Sequence, residues 1–406
     1  MPERLSIRKF GPIREAEIEM RDLTIFVGPQ ATGKSMAAQL LYFMRGIEDL
    51  LPLASNTGRR SIQLGDYNPQ LDTRATQDVV TTLEWWLGNH NSVYSMPGTF
   101  LAWCPSSAKE SVSYEISWTE EKVFLNYFLE AWLGAYDRPR IERLGGQQIY
   151  IPAGRALYSY LSQNLAMPLL SRKTNRPDWP GYIFWFYQTL GETTKSLSEI
   201  KGSGQELLFK SSITPFIMQR IEGILKGQIS YGPNSVLLKT GGKTLRTDTI
   251  AAGQMEAWPF FAIMEYALRK GEVENLQVYF DEPEAHLHPG AQQKLMEIIA
   301  SLVRGGTQLI ITTHSPYILY AFNNFLAAGE VLSKERPLPP GISVETALLP
   351  QQVAAYRFGS DGQVHDIMDR EIGLINSDEL NRVAEELGSD FISMQEQLLE
   401  ESDQDA

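Results

Sequence analysis

Gly28-Pro29-Gln30-Ala31-Thr32-Gly33-Lys34-Ser35 follows the apolar run Leu23-Thr24-Ile25-Phe26-Val27 and opens a helical pattern from Met36 to Met44. The eight residues read GxxxxGKS, and a strand, a glycine-rich turn and a helix in that order form a cradle for phosphate. Gly28 and Gly33 reach backbone angles that cost other residues free energy, which turns consecutive N–H groups inward toward one anion. Lys34 stands where an ammonium reaches the β- and γ-phosphates, and the Ser35 hydroxyl is placed to coordinate Mg²⁺. Pro29, Gln30, Ala31, Thr32 and Met36 complete the candidate nucleotide-binding segment. A glycine turn that happens to precede a lysine is the weaker reading, because the flanking strand and helix are both present.

The rest of the composition fits such a fold. With 406 residues, 43% of them hydrophobic, the chain can bury one large α/β domain with an inserted or appended subdomain. The first residues, Met1-Pro2-Glu3-Arg4, lack the apolar core of a signal peptide, and no run of roughly 18 apolar residues is present to span a membrane. The sole cysteine, Cys104, excludes an internal disulfide and a cysteine zinc cluster and fits a cytoplasmic location. The net charge of −13 is concentrated at one end: 14 acidic residues lie beyond Ser360 against Arg370 and Arg382. The main body is therefore nearly neutral. Its charge does not exclude nucleic acid, and no basic stripe invites it.

Along the chain, Leu5 to Phe10, Ala16 to Met20 and the run into the loop read as strands, with a Gly11-Pro12 turn between the first two. Ala75 to Leu87 reads as a helix, Gly98 to Cys104 and Ser111 to Trp118 as a hairpin, and Glu120 to Leu133 as a helix. The aromatics Trp85, Trp86, Trp118, Phe124, Tyr127, Phe128 and Trp132 read as core rather than as a platform for bases, since no basic residues interleave with them. Gln148 to Ile151 is a short strand ending at Pro152-Ala153-Gly154-Arg155. An arginine just beyond a strand end is either a phosphate contact or a structural ion-pair partner. Leu157 to about Leu225 reads as a helical lid or arm broken at Pro177 and Pro180. Strand character returns from Ile229 to Lys239, and a helix follows from Met255 to Arg269.

Two later strands end in chemistry. Leu276 to Phe280 runs directly into Asp281-Glu282, which places one carboxylate beside the Mg²⁺ of Ser35 and the next beside the γ-phosphate. Asp281 is the candidate for the metal, and Glu282 for orienting or deprotonating the attacking water. Gln308 to Thr313 ends at His314, expected beside the Asp281 strand and on the ligand side of the sheet. Asp281, Glu284, His286 and His288 have a spacing that a transition metal could use. Pro289 argues instead for an ordinary strand-to-helix connection. Beyond these come a helix from Tyr317 to Leu326, a hairpin around Ser360-Asp361-Gly362, a helix from Ser377 to Leu387 and a polar tail.

Gly28 to Ser35, Ile250-Ala251-Ala252-Gly253-Gln254, the run from Asp281 to Pro289 and Thr313-His314-Ser315, taken together, resemble the ABC-type AAA family ATPases of the OLD (overcoming lysogenization defect) and SMC/Rad50-like group. Ile7 to Ile13 also resembles that group's opening β-subdomain. The resemblance implies an α/β P-loop NTPase with an ABC-type head, in which a mixed sheet and an N-terminal antiparallel β-subdomain are joined by a helical insertion. The implied parts are 1–155 and 227–330 for the head, 156–226 for the helical insertion, and 331–406 for a small C-terminal extension with an acidic tail. It also implies ATP and Mg²⁺ as cofactors and ATP hydrolysis as the activity. In this reading Lys34, Glu282 and His314 are catalytic, and Ser35 and Asp281 hold the metal. Arg155 is a candidate nucleotide contact, and Gly253 and Gln254 face the nucleotide of a second, head-to-head copy.

This sequence departs from the group in having Ala251 where many signature segments carry serine, which favours slow turnover or an ATP-gated scaffold. The group's metal-proximal glutamine is not assigned among Gln63, Gln147 and Gln148. A nuclease domain of the OLD kind needs on the order of 100 further residues. The tail motif Asp403-x-Asp405 is too polar to be its strand, so the chain resembles the standalone ATPase of anti-phage systems such as the phage anti-restriction induced system and Septu. That implies a separate effector protein and a phage trigger protein as partners, with no membrane. A DNA-repair or chromosome-maintenance ATPase is the alternative.

Overall fold

The computed structural model describes residues 2–46, 95–104, 111–118, 123–130, 148–159, 181–202, 212–232, 235–376 and 388–395. Strands β1 (Arg4–Phe10) and β2 (Ile13–Glu19) turn at Gly11-Pro12 and pair antiparallel. Strand β3 (Leu23–Val27) has all five residues buried, as a strand covered on both faces requires. It delivers the glycine loop to helix α1 (Lys34–Arg45). Next come β4 (Ser95–Cys104), β5 (Ser111–Trp118) and β6 (Val123–Glu130), which extend the first hairpin into a five-stranded sheet of order β2-β1-β4-β5-β6.

Residues 123–130 correct the helix expected over Glu120 to Leu133. The run VFLNYFLE is rich in β-branched and aromatic residues, and it pairs with β5 along all eight residues of both strands. That ladder outweighs a weak helical periodicity. The expected helices at 75–87 and 377–387, together with Trp85, Trp86, Trp132, Gln63, Gln147, Asp403 and Asp405, lie outside the described residues.

Strand β7 (Gln148–Ile151) precedes helices α2 (Gly181–Gly202) and α3 (Thr214–Leu225). A three-stranded meander follows, formed by β8 (Gln228–Gly232), β9 (Ser235–Thr240) and β10 (Lys243–Arg246). Then come α4 (Ala252–Lys270), β11 (Gln277–Asp281), α5 (Pro289–Arg304), β12 (Gln308–Thr313) and α6 (Pro316–Ser333). Strands β13 (Val353–Phe358) and β14 (Val364–Asp366) form the hairpin around Asp361. Residues 353–358, assigned from sequence to an extension, are hydrogen-bonded in parallel to β3.

The main sheet has the order β14-β13-β3-β12-β11-β7, parallel except for β14. Alternation along its strands divides the core in two. Phe26, Tyr150, Tyr279, Ile310 and Tyr356 pack with α1 and with Leu5, Ile7, Phe10, Ile13 and Ile18 of the antiparallel sheet. Ile25, Val27, Val278, Phe280, Leu309 and Ile311 face the opposite way, against the helices. Phe186, Leu190, Leu197, Ile217 and Ile221 of α2 and α3 belong to this second core. The described part of the segment expected as a lid or arm is therefore packed into the body, because its apolar stripe covers a sheet face that would otherwise be wet.

Burial pushes the Tyr42 hydroxyl up to about 12 and raises those of Tyr150, Tyr187, Tyr231 and Tyr279. These phenols stay protonated in the folded chain at a pH where the unfolded chain begins to ionise. Their contribution is complete below about pH 10 and is lost as pH rises through the folded values. Urea midpoints measured from pH 9 to 11.5 should therefore fall steadily at unchanged slope, and a midpoint constant over that range would contradict this burial.

Candidate functional site

Parallel register decides which side chains meet. Strand β12 lies between β3 and β11, with Thr312 opposite Asp281 and Thr313 opposite Val27. The loop leaving β3, the acids leaving β11 and the histidine leaving β12 therefore share the carboxyl edge of the sheet, the ligand side of such folds. The Ser35 hydroxyl donates to Asp281 Oδ1 at 2.7 Å, and the Thr312 hydroxyl donates to the same oxygen. Asp281 is buried.

The loop itself is held in a strained path. Gly28 has φ 144° and passes so close to β13 that a Cβ there would lie 2.3 Å from the Phe358 carbonyl oxygen. Gly33, at φ 99°, would place a Cβ 2.6 Å from Ile13 Cγ1. The tip residues Pro29, Gln30 and Ala31 are exposed, and the Thr32 hydroxyl donates to the Pro29 carbonyl at 2.9 Å. Met36, in the first turn of α1, is partly buried and packs against the core that this helix shares with the antiparallel sheet. The Lys34 ammonium folds over the loop and donates to the carbonyls of Gly28 at 2.9 Å and Pro29 at 2.6 Å. Burial lowers its pKa, and the facing carboxylates of Glu282, Asp281 and Glu284 oppose that shift.

Glu282 has a backbone φ of 44°, uncommon for a residue with a Cβ. Its N–H holds the end of β12 through the Thr312 carbonyl at 3.1 Å and hydroxyl at 3.2 Å. Its Oε1 lies 3.7 Å from His314 Nδ1. Glu284 Oε1 lies 3.6 Å from that same nitrogen, and burial raises the Glu284 carboxyl above the usual range.

Arg155 corrects one expectation. Its side chain is fully buried, and its donors go to backbone carbonyls: Glu256 at 2.7 Å, Pro152 at 3.1 Å, Asp281 at 2.9 Å and Glu282 at 3.1 Å. The guanidinium stacks 4.7 Å from the Phe280 ring centroid and lies 3.6 Å from Glu256 Oε2. Of its two sequence readings, the structural ion-pair partner is the one observed.

Gly253 and Gln254 lie in the first turn of α4. A Cβ on Gly253 would lie 2.6 Å from the His286 carbonyl oxygen. The Gln254 side chain accepts from the Ala251 N–H at 3.1 Å and donates to the Leu225 carbonyl at 2.6 Å. Ala251 and Ala252 are exposed, and Ala251, at the N-cap, has no oxygen with which to cap the helix. Of the glutamines considered for the metal, Gln148 is excluded by register. It pairs with Gln277, four residues before Asp281, roughly 13 Å down the sheet at strand rise.

Among the described residues, no cluster of three or more His, Cys, Asp or Glu could hold a metal ion. His288 Nδ1 instead accepts the Gly290 N–H at 3.2 Å, at the start of α5. One carboxylate and one hydroxyl, Asp281 and Ser35, form a donor set that suits Mg²⁺ bound largely through phosphate and water. Thr312 was not singled out from sequence, Thr313 entered only as part of the Thr313-His314-Ser315 motif, and Glu284 was weighed only as a member of a transition-metal cluster. Their signal was present in polar residues ending an apolar strand and in a second glutamate two positions after the first.

The family described as an AAA ATPase domain matches residues 186–319, a segment that contains Gly253, Asp281, Glu282 and His314 but not the glycine loop. No curated protein matches the chain. Three solved structures are similar over most of its length. The SMC head bound to the C-winged helix domain of ScpA is 13% identical, covers 91% of this chain and 98% of its own, and gives a TM-score of 0.45. The SMC head domain from Thermotoga maritima is 12% identical with coverages of 90% and 98% and a TM-score of 0.38. The Smc head domain with an extended coiled coil bound to the C-terminal domain of ScpA, derived from Pyrococcus furiosus, is 13% identical with coverages of 95% and 100% and a TM-score of 0.42. Similarity at these scores decides nothing about function. No helix among the described residues is long and apolar enough to cross a membrane.

Replacing Arg155 with methionine leaves the Glu256 carboxylate and four carbonyls without their buried donor. We expect a loss of roughly 3 kcal/mol or more in urea unfolding. A loss below about 1 kcal/mol would show that the clamp is dispensable.

Proposed function

We propose that the chain binds ATP in the Gly28–Ser35 cradle and hydrolyses it. The observation that carries this reading is the 2.7 Å bond from Ser35 to Asp281. It joins the glycine loop, which lies outside the segment matching an AAA ATPase domain, to the carboxylates inside it. Lys34, folded over its own loop, would turn its ammonium to the β- and γ-phosphates. Ser35 and Asp281 would hold Mg²⁺, which supplies charge neutralisation at the phosphates. Glu282, at the partly exposed end of the acid pair, would accept the proton of the attacking water, and His314 would donate to the γ-phosphate. The positive φ of Glu282 is the kind of local strain that a functional position retains.

We further propose that two copies meet head to head, so that the exposed start of α4 faces the partner's nucleotide. Hydrolysis in such a pair would control a separate effector protein in anti-phage defence. The motif resemblance supports that last step, and the acidic composition from Asp361 onward would suit a basic partner. Ala251 favours a second reading, an ATP-gated scaffold with little turnover, because no hydroxyl stands at the N-cap of α4.

Purified protein should hydrolyse ATP. Lys34→Ala should abolish nucleotide binding, and Glu282→Gln should keep binding while kcat falls about 10²- to 10⁴-fold. Native mass measurement of Glu282→Gln with ATP should show a dimer or higher oligomer. Wild-type turnover no greater than that of Glu282→Gln would decide for the scaffold, and strong stimulation by DNA would favour a DNA-maintenance role over the effector reading.

Ala251→Ser supplies the missing cap oxygen. It should stabilise the protein by about 1 kcal/mol and raise ATP turnover. A raised Tm with unchanged turnover would show that residue 251 does not limit hydrolysis.

A further inference from the structure

Glu284 sits in the turn that leaves β11, two residues past Glu282, and its carboxylate is far less exposed, at 4% against 32%. One oxygen makes its contacts with the end of β12 and with His314. Oε1 accepts the Thr313 hydroxyl at 2.6 Å and the His314 backbone N–H at 3.1 Å, and it stands 3.6 Å from His314 Nδ1. The other oxygen, Oε2, is buried and has no hydrogen-bond partner among the described residues.

A buried acid with an idle oxygen costs free energy, and a merely structural need does not explain that cost. Two neutral donors on one oxygen are served as well by an amide carbonyl. What an amide would lack is the charge, which the Lys34 ammonium faces and which the Nδ1 edge of His314 meets at 3.6 Å. The hold also reaches past the histidine. Thr313 Oγ1, which donates to Glu284, accepts the Ser315 N–H at 3.0 Å, and the Ser315 hydroxyl donates to Gln292 Oε1 at 3.2 Å. The backbone on both sides of His314 is therefore tied to the turn that carries Glu282 and Glu284.

We infer that Glu284 is the positioning residue for His314, holding its backbone and the Nδ1 edge of its imidazole so that Nε2 is left to face the phosphate. Glu282 lies at a similar distance from Nδ1 but is the more exposed of the two and has the water to serve. Glu284 is the buried, fixed half of the pair, so orientation falls to it. A carboxylate on one imidazole nitrogen fixes which nitrogen is free for the ligand. The assignment rests on the ATPase reading above.

The test is a double-mutant cycle on the full chain with ATP as substrate. Glu284→Gln should leave KM for ATP within about twofold and lower kcat at least tenfold. In a His314→Ala background the same substitution should change kcat less than twofold, because a residue that acts through His314 has nothing left to position. An unchanged kcat, or an equal loss in both backgrounds, would overturn the assignment. A wild type no more active than Lys34→Ala would sink the ATPase reading instead. Imidazole ¹⁵N spectra of histidine-labelled protein then still decide the geometry, with the His314 signals assigned by His314→Ala. A hydrogen-bonded Nδ1–H in wild type, with Nε2 left able to carry the proton it donates to phosphate, that is lost in Glu284→Gln, or in Thr313→Val if the first variant does not fold, supports the proposal. Signals indifferent to both substitutions overturn it.

Discussion

The hydrogen bonds that converge on Asp281 Oδ1 are the constraint on which the site depends. The carboxylate is buried at the end of an apolar strand and is satisfied by one hydroxyl from α1 and another from β12. A buried charge without such donors is expensive, so the sheet edge is stable only when α1 and β12 are both seated. Arg155 completes the arrangement from below by binding the carbonyls of Asp281 and Glu282. The two residues proposed for metal and water are thereby fixed through their backbone, and Asp281 through its side chain as well.

Seating α1 requires two covers. One face of the main sheet lies beneath it and the antiparallel sheet packs over it, and Leu40, Leu41 and Met44 are buried between them. The glycine loop that starts this helix is pinned on both sides. Phe358 of β13 crowds Gly28, and Ile13 of β2 crowds Gly33. Segments more than 300 residues apart in sequence therefore shape one turn. A side chain at either glycine would have to displace backbone or a packed apolar group as well as adopt a left-handed φ.

Much of this was legible in the sequence, because short-range signals carry it. The loop, the acids after Phe280 and the histidine after Thr313 are punctuation at strand ends, and apolar runs that close on polar residues announce such ends. The antiparallel hairpins were readable for the same reason. What could not be read depends on partners distant in sequence. The run from Val123 to Glu130 is a strand because β5 offers it an edge. Val353 to Phe358 joins the main sheet because β3 has a free side. Arg155 resembles a ligand contact until its four carbonyl acceptors are in place. Glu284 read from sequence as a member of a possible metal cluster until its depth distinguished it from Glu282.

Helix α4 reaches the same turn by two routes. Near its start, the absence of a Cβ on Gly253 lets the chain rest against the His286 carbonyl. One turn later, the Glu256 carbonyl and carboxylate hold Arg155, whose remaining donors hold Asp281 and Glu282. These contacts are packed and buried, and such interfaces shift between discrete arrangements rather than stretching. A displacement at the exposed Ala251-Ala252 end therefore cannot be absorbed within α4 alone. The contacts of α4 lead to the turn from Glu282 to His286, which bears the carboxylates that flank His314. The exposed end that the dimer reading assigns to a partner is thus joined by packed contacts to the carboxylates it assigns to hydrolysis.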